Sequence, residues 1–338
     1  MARGTVAASV ARGLMQLAVA KGADPEALSR RAGLAPADLQ DPDARIPAPN
    51  YVALMKAGQE LAGDPALALH YAEQVDLTEV SVVGLLTHAC ETMRDAFAQI
   101  SRYSRLVSDE DDDVGERMQI VPAGDGLDWL VDNRADPNLF PEATEICLGR
   151  LVCGPRVFDT TPFCKEVHVT HPAPSYRSEY DRIFRAPIVF ESDRNALLID
   201  ASWHDHKIAP RQRYAFGVLS RHAEALLQRL EQSKTVRGRV ESRLISSLHT
   251  GKVGMDAVAA ELGFSRQTLL RRLKAEGATY EQVLDELRSR MASHYLDGRK
   301  VSISETAYLL GFSDRAAFTH AFKRWTGSSP RARREPNG

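Results

Sequence analysis

One short pattern occurs twice in the last third of the chain, and a tandem repeat limits the architecture before anything else does. The first copy reads Ala259-Ala260-Glu261-Leu262-Gly263-Phe264-Ser265, followed by a basic segment ending Leu273-Lys274-Ala275-Glu276-Gly277. The second reads Ala307-Tyr308-Leu309-Leu310-Gly311-Phe312-Ser313, followed by a segment ending Phe322-Lys323-Arg324-Trp325-Thr326-Gly327. Each copy predicts a helix-turn-helix. A short apolar helix (255–262 or 305–310) stops at a glycine, which can take the left-handed conformation of a helix C-terminus. Phe264 or Phe312 plugs the turn, and Ser265 or Ser313 is placed to cap the next helix. In that second helix Leu269 and Leu273, or Phe318 and Phe322 with Trp325, face inward. The outward stripe carries Gln267, Leu270, Arg271 and Lys274 in the first copy, and Ala316, Thr319, His320 and Lys323 in the second. An exposed polar stripe on the second helix of such a pair is what enters a major groove.

The segment Ser-Arg-Gln-Thr-Leu-Leu-Arg-Arg-Leu (265–273) and the longer segment 311–330, with its Phe-Lys-Arg-Trp-Thr-Gly-x-Ser-Pro ending, are specific. They resemble the two signature segments of the DNA-binding domain of the AraC/XylS family of bacterial transcription regulators. The resemblance covers about 240–334. It implies an all-α DNA-binding domain over 238–338, with helix-turn-helix units at 253–277 and 302–327. A helix over 281–296, with Val283, Leu284, Leu287 and Met291 inward, joins them. By the resemblance, it holds both recognition helices on one DNA face, one helical turn of ~34 Å apart.

The expected DNA-contacting set is Ser265, Arg266, Gln267, Thr268, Leu270, Arg271, Arg272 and Lys274, with Ser313, Arg315, Ala316, Thr319, His320, Lys323 and Arg324. Residue chemistry divides it. Arg271 can donate two bonds to guanine O6 and N7, and Gln267 can pair with adenine. Leu270 cannot hydrogen-bond, so a thymine methyl is its natural contact. Arg272, Lys274, Lys323, Arg324 and Arg331 suit phosphates, which position without specifying. Arg315 could reach base or phosphate, and His320 is either a base-edge reader or a solvated helix residue.

Charge supports one nucleic-acid-binding part. Residues 233–338 carry 19 Lys/Arg and 11 Asp/Glu, a net of +8; residues 1–232 carry the remaining 24 and 34, a net of −10. A polyanion partner is therefore expected for the C-terminal part alone. At 338 residues the chain exceeds one typical core, which predicts two domains.

The first 205 residues read as helices followed by a small α+β unit, so the fold class is mixed and mainly α. A helical face is expected over 5–20. Asp24-Pro25 opens a second helix that Gly33 closes, and 36–39 makes a turn. Residues 41–49 read as irregular, and Asn50 as the cap of a helix that 63–65 breaks and 66–74 resumes. Thr92 and Asp95 form a capping box before a helix burying Phe97, Ile100 and Tyr103. The acidic run 109–113 reads as a solvated loop. Residues 118–121 and 127–131 predict a β-hairpin, 141–152 a helix, 166–170 a strand and 176–184 a short helix. Residues 188–190 and 196–199 predict a second strand pair. This order, with the Asp41-Pro-Asp-x-Arg-Ile-Pro segment and Pro187-Ile-Val-Phe190, is similar to the arabinose-binding-type N-terminal domain of the AraC-family branch that includes ornithine-utilisation regulators. That resemblance implies an effector-sensing domain over 1–205. Residues 206–237 are expected to connect it to the DNA-binding domain. They comprise an amphipathic helix (211–232), either a dimer helix or one docked on its own domain, and a linker (233–238).

Other chemistry is weakly supported. Cys90, Cys147, Cys153 and Cys164 form no C-x-x-C pair and read as reduced core thiols. Cys164, His168 and His171 fit no standard zinc spacing, so neither a metal nor a cofactor is expected. The Pro-Cys-His-Arg nucleophile of AraC-type alkyl-transfer repair proteins is absent, and no nucleophile–base pair is visible, so an enzyme is not expected. The longest uncharged apolar run, 80–90, is too short to span a bilayer, and no leader is convincing, so the cytoplasm is expected. Beyond double-stranded DNA, the partners to test are a small-molecule effector, RNA polymerase and a second copy of the chain. Cationic metabolites suit the acidic balance; a sugar or an apolar acid stays open. The rival reading is a ligand-independent factor whose N-terminal part only dimerises or contacts other proteins.

Overall fold

A computed structural model describes residues 4–110, 117–208, 212–251, 253–297 and 301–334. The chain divides into two compact units, 1–227 and 228–338.

The first unit begins with β1 (Gly4–Ala7), α1 (Ala8–Ala20), α2 (Pro25–Ala32), β2 (Arg45–Pro47) and α3 (Ala48–Ala62). It continues through α4 (Leu67–Gln74), α5 (Leu77–Val80), α6 (Val82–His88), α7 (Met93–Val107) and β3 (Ser108–Glu110). The expected helix at 5–20 starts three residues late. Val6 sits in a central strand, opposite Ile46 on one side and Ser108 on the other, so its backbone is fully committed to a small antiparallel sheet of order β2-β1-β3. The same sheet overturns the irregular reading of 41–49, since Arg45–Pro47 is its edge strand. Arg45 ties this corner together, donating to Thr5 Oγ1 (2.6 Å) and to the Leu106 carbonyl (2.7 Å). Asp24 caps α2 and Gly33 closes it at φ 63°, as expected. Asn50 is no cap; α3 has already begun, and its amide donates to the Gly33 carbonyl at 2.9 Å. Asp109 is not solvated. It is 2% exposed in β3 and pairs with Arg105 at 3.0 Å; residues 111–113 lie outside the described residues.

The rest of the first unit comprises β4 (Met118–Gly124), β5 (Leu127–Asp132), α8 (Pro141–Cys153), β6 (Cys164–His168), α9 (Arg177–Phe184), β7 (Ile188–Val189) and β8 (Ala196–Asp200). The β4–β5 hairpin forms as expected. The second expected pair does not, because the strand order is β4-β5-β8-β6-β7. β6 and β7 pair in parallel, with α9 between them in sequence, as a parallel pair requires a crossover. The chain then turns back, Ser192 N donating to the Val169 carbonyl, and β8 inserts between β5 and β6. Leu197 and Ile199 enter the core with Tyr180, Ile183 and Phe184 of α9.

α10 (Arg213–Lys234) follows. Its Glu224 accepts from Arg102 (2.9 Å) and Tyr103 (3.3 Å) of α7, so this part of the helix docks on its own unit. The expected linker is almost entirely helical. α10 runs to Lys234, Thr235 caps the next helix by accepting from Gly238 N at 2.8 Å, and α11 (Val236–Ser247) begins at once. The second unit continues with α12 (Met255–Glu261), α13 (Arg266–Ala275), α14 (Tyr280–Asp297), α15 (Ile303–Leu309), α16 (Arg315–Thr326) and α17 (Pro330–Arg334). They share one core, in which Val240, Leu244, Leu269, Leu273, Val283, Leu310, Phe318 and Phe322 are fully buried.

Candidate nucleic-acid interface

Two helix-turn-helix units, α12–α13 and α15–α16, pack against the central helix α14 and the neighbouring α11. In the first, Gly263 takes φ 72° and Phe264 N donates back to the Ala259 carbonyl at 2.8 Å, closing α12. Ser265 caps α13, its hydroxyl accepting from Thr268 N at 3.2 Å. With Leu269 and Leu273 fully buried, the opposite side is fixed outward. Gln267, Leu270, Arg271 and Lys274 are all exposed.

The second unit repeats this geometry with one change. Gly311 takes φ 71° and Phe312 N donates to the Ala307 carbonyl at 3.0 Å. The cap of α16 is Asp314, which accepts from Ala317 N at 2.8 Å; Ser313 instead donates to the Asp314 carboxylate at 3.2 Å. Ser313 is thus one residue too early for the capping role expected of it. On α16, Ala316, His320 and Lys323 are exposed, as is Arg315 in the first turn. Thr319 is half-buried, and its hydroxyl is spent on the Arg315 carbonyl at 2.8 Å. The α13 stripe therefore offers more groups able to read bases than the α16 stripe does.

The basic residues also separate. Arg266 pairs with Asp256 at 2.8 Å and Arg324 with Asp285 at 2.6 Å, so both are held by carboxylates of their own unit. Arg272 lies over the Phe264 ring, 4.7 Å from its centroid. A second arginine, Arg239 of α11, covers the same ring at 5.0 Å and donates to the Leu262 carbonyl at 3.3 Å. Arg288 of α14 does the equivalent work in the second unit. It lies 4.6 Å from the Phe312 ring and donates to the Leu310 carbonyl at 3.0 Å. The repeat therefore extends one helix upstream of each apparent copy. Its signal was an arginine 25 residues before Phe264 and another 24 before Phe312.

The first unit holds a partly open cavity of about 450 Å³, bounded by α1, α3, α4 through α8 and the start of β4. Its wall is mainly aliphatic and aromatic, including Val10, Tyr51, Phe97, Ile100 and Ile146. Arg150 of α8 reaches it, as do Arg117 and Arg134, which hold the buried Asp132.

Residues 22–208, more than half of the chain, match the family described as "Arabinose-binding domain of AraC transcription regulator, N-term". The chain belongs to the AraC family of transcription regulators. The helix-turn-helix domain family matches over 258–335, which makes DNA the partner of this AraC-family regulator. The ornithine utilization regulator of Pseudomonas aeruginosa is 25% identical over 98% of this chain and 96% of its own length. The transcriptional activator RhaS of Escherichia coli is 40% identical over 81 residues, 24% of this chain and 29% of RhaS. The crystal structure of the regulator CdpR from Pseudomonas aeruginosa has 22% identity and a TM-score of 0.39 over 80% of this chain and 86% of that one. No described helix is long and apolar enough to cross a membrane.

Proposed function

We propose that this AraC-family regulator recognises its DNA site chiefly through α13, with α16 as the second contact, and that a small molecule in the cavity of the first unit modulates binding. The observation that carries the first part is the exposed Gln267-Leu270-Arg271-Lys274 stripe on a helix whose other face is fully buried. Such a helix presents base-reading and phosphate-binding groups without disturbing its own core. Arg271 and Gln267 are assigned to base edges, Leu270 to a thymine methyl, and Lys274 and Lys323 to phosphates. His320 and Arg315 are assigned to the second contact. Arg266 and Arg324 are demoted by their ion pairs, and Ser265, Thr268, Ser313 and Thr319 serve mainly to build the helices.

In this reading 1–205 senses, 206–237 connects and 238–338 binds DNA, in the cytoplasm. Tyr214, 86% exposed on α10, leaves room for a second copy of the chain, and RNA polymerase is the expected downstream partner. The test is selection from random duplexes by the full chain. An enriched common sequence is expected; a pool that stays random would overturn sequence-specific reading.

A further inference from the structure

The cavity has a chemistry that narrows its ligand, granting the effector reading above. Its wall is dominated by side chains such as Val10, Phe97, Ile100, Phe140, Ile146 and Leu151. A sugar would need a hydrogen-bonding group for nearly every hydroxyl, since a buried polar group left unpaired costs more than its bond returns. Several polar side chains of this wall are already committed: Tyr71 donates to the Val10 carbonyl, Thr87 to the Gly84 carbonyl and Ser104 to the Ser101 carbonyl. A cation is disfavoured for a second reason. Among the described residues the one lining carboxylate, Asp136, is exposed, whereas Arg150 is half-buried in the wall and Arg117 and Arg134 are paired with the buried Asp132.

Arg150 is the decisive group. It extends from α8 towards the end of α4, where it donates to the Ala72 carbonyl at 3.1 Å and to the Val75 carbonyl. Its Nε is buried and has no hydrogen-bond partner. Among the described residues no carboxylate lies within ion-pairing distance of it, and burial holds its pKa below the usual arginine value. A cation that lines a mainly apolar cavity, bonded to carbonyls and without an ion pair, is placed to bind an anion, because charge-assisted bonds strengthen in apolar surroundings.

We propose that the effector is an apolar monoanion, a carboxylic acid on an aliphatic or aromatic skeleton, with its carboxylate on Arg150 and its body against the apolar wall. This displaces the cationic class that the acidic balance of 1–232 favours. That balance is set by residues at the surface as well as by the wall of the cavity, whereas the ligand meets the wall alone.

The test is calorimetric titration of the full chain with decanoate and with phenylbutyrate, beside methyl decanoate, decylamine, arabinose and ornithine. The acids should bind; either skeleton supports the class and identifies which is preferred. Methyl decanoate should bind roughly tenfold or more weakly, the loss of one charge-assisted contact, and decylamine, arabinose and ornithine should not register. In Arg150→Gln, checked for folding by circular dichroism, the acid should lose its advantage while the ester keeps its affinity; Arg150→Lys should restore part of the preference. If Arg150→Gln does not fold, the wild-type comparison of acid, ester and amine decides alone. An ester or amine that binds as tightly as the acid overturns the anion. Binding of arabinose or ornithine in place of the acids overturns the class but leaves the effector reading standing. No binding across the panel, with DNA affinity indifferent to a metabolite extract, removes both.

Discussion

Arg271 and Lys323 lie on equivalent outward stripes but carry different chemistry, and their substitutions should separate. Arg271→Ala is expected to cost about 1–3 kcal/mol on the selected site and to relax base choice at one position. Lys323→Ala should weaken all sequences alike and reduce the slope of log K against log salt by ~0.9. Competition binding against random duplex checks both; an Arg271→Ala loss that is equal on random DNA contradicts base reading. Glu145 should give the stability a pH dependence. It is 1% exposed and within hydrogen-bond reach of Tyr176 (2.8 Å) and Tyr180 (2.6 Å), and burial raises its pKa to about 7. Tyr180 in turn lies 2.9 Å from His171, whose pKa burial lowers. A protonated Glu145 can therefore donate towards a neutral His171 through Tyr180. Because the folded pKa lies above the ordinary value of 4.5, the stabilising form is fully present below 4.5 and is lost as pH rises through about 7. The melting temperature should fall over that window, and Glu145→Gln should flatten the fall; an unchanged pH profile in the variant would exclude this carboxyl as its source. At this scale the outward stripes were legible, because helical spacing is local. The cap of α16 was misread by one position, since Ser313 and Asp314 are adjacent residues that both can cap.

Among the elements, the two turns look alike in sequence but not in surroundings. Gly263 and Gly311 both hold positive φ, which costs a residue bearing Cβ about 1–2 kcal/mol. A Cβ on Gly263 would meet nothing within 4 Å, whereas one on Gly311 would lie 2.3 Å from the Leu248 carbonyl oxygen. Gly311→Ala should therefore destabilise the chain clearly more than Gly263→Ala, as read by denaturant midpoints; equal costs would show that the backbone conformation alone sets the penalty. Leu248 is 63 residues away in sequence, so nothing near Gly311 announces it. The same non-locality explains the misplaced strands. β1 pairs with strands about 40 and 100 residues downstream, and β6 lies between the sequence neighbours β7 and β8 and pairs with both. Hairpins such as β4–β5 were legible because both strands and their turn are contiguous.

For the whole molecule, the division into a basic helical unit and an acidic mixed one followed from charge and repeat, and the fold agrees in class. The lining of the cavity was not legible, since it is assembled from residues between Val6 and Ile208. The anion we propose for it departs from the cationic class that the acidic balance suggests. We propose that the tandem units read one DNA face together, the first more specifically than the second. Hydroxyl-radical footprinting of the full chain on its selected site tests this most directly. Two protected stretches on one face, about one helical turn (~34 Å) apart, are expected, with Arg271→Ala weakening one stretch far more than the other. A single protected stretch, or two that fade equally in Arg271→Ala, would contradict it.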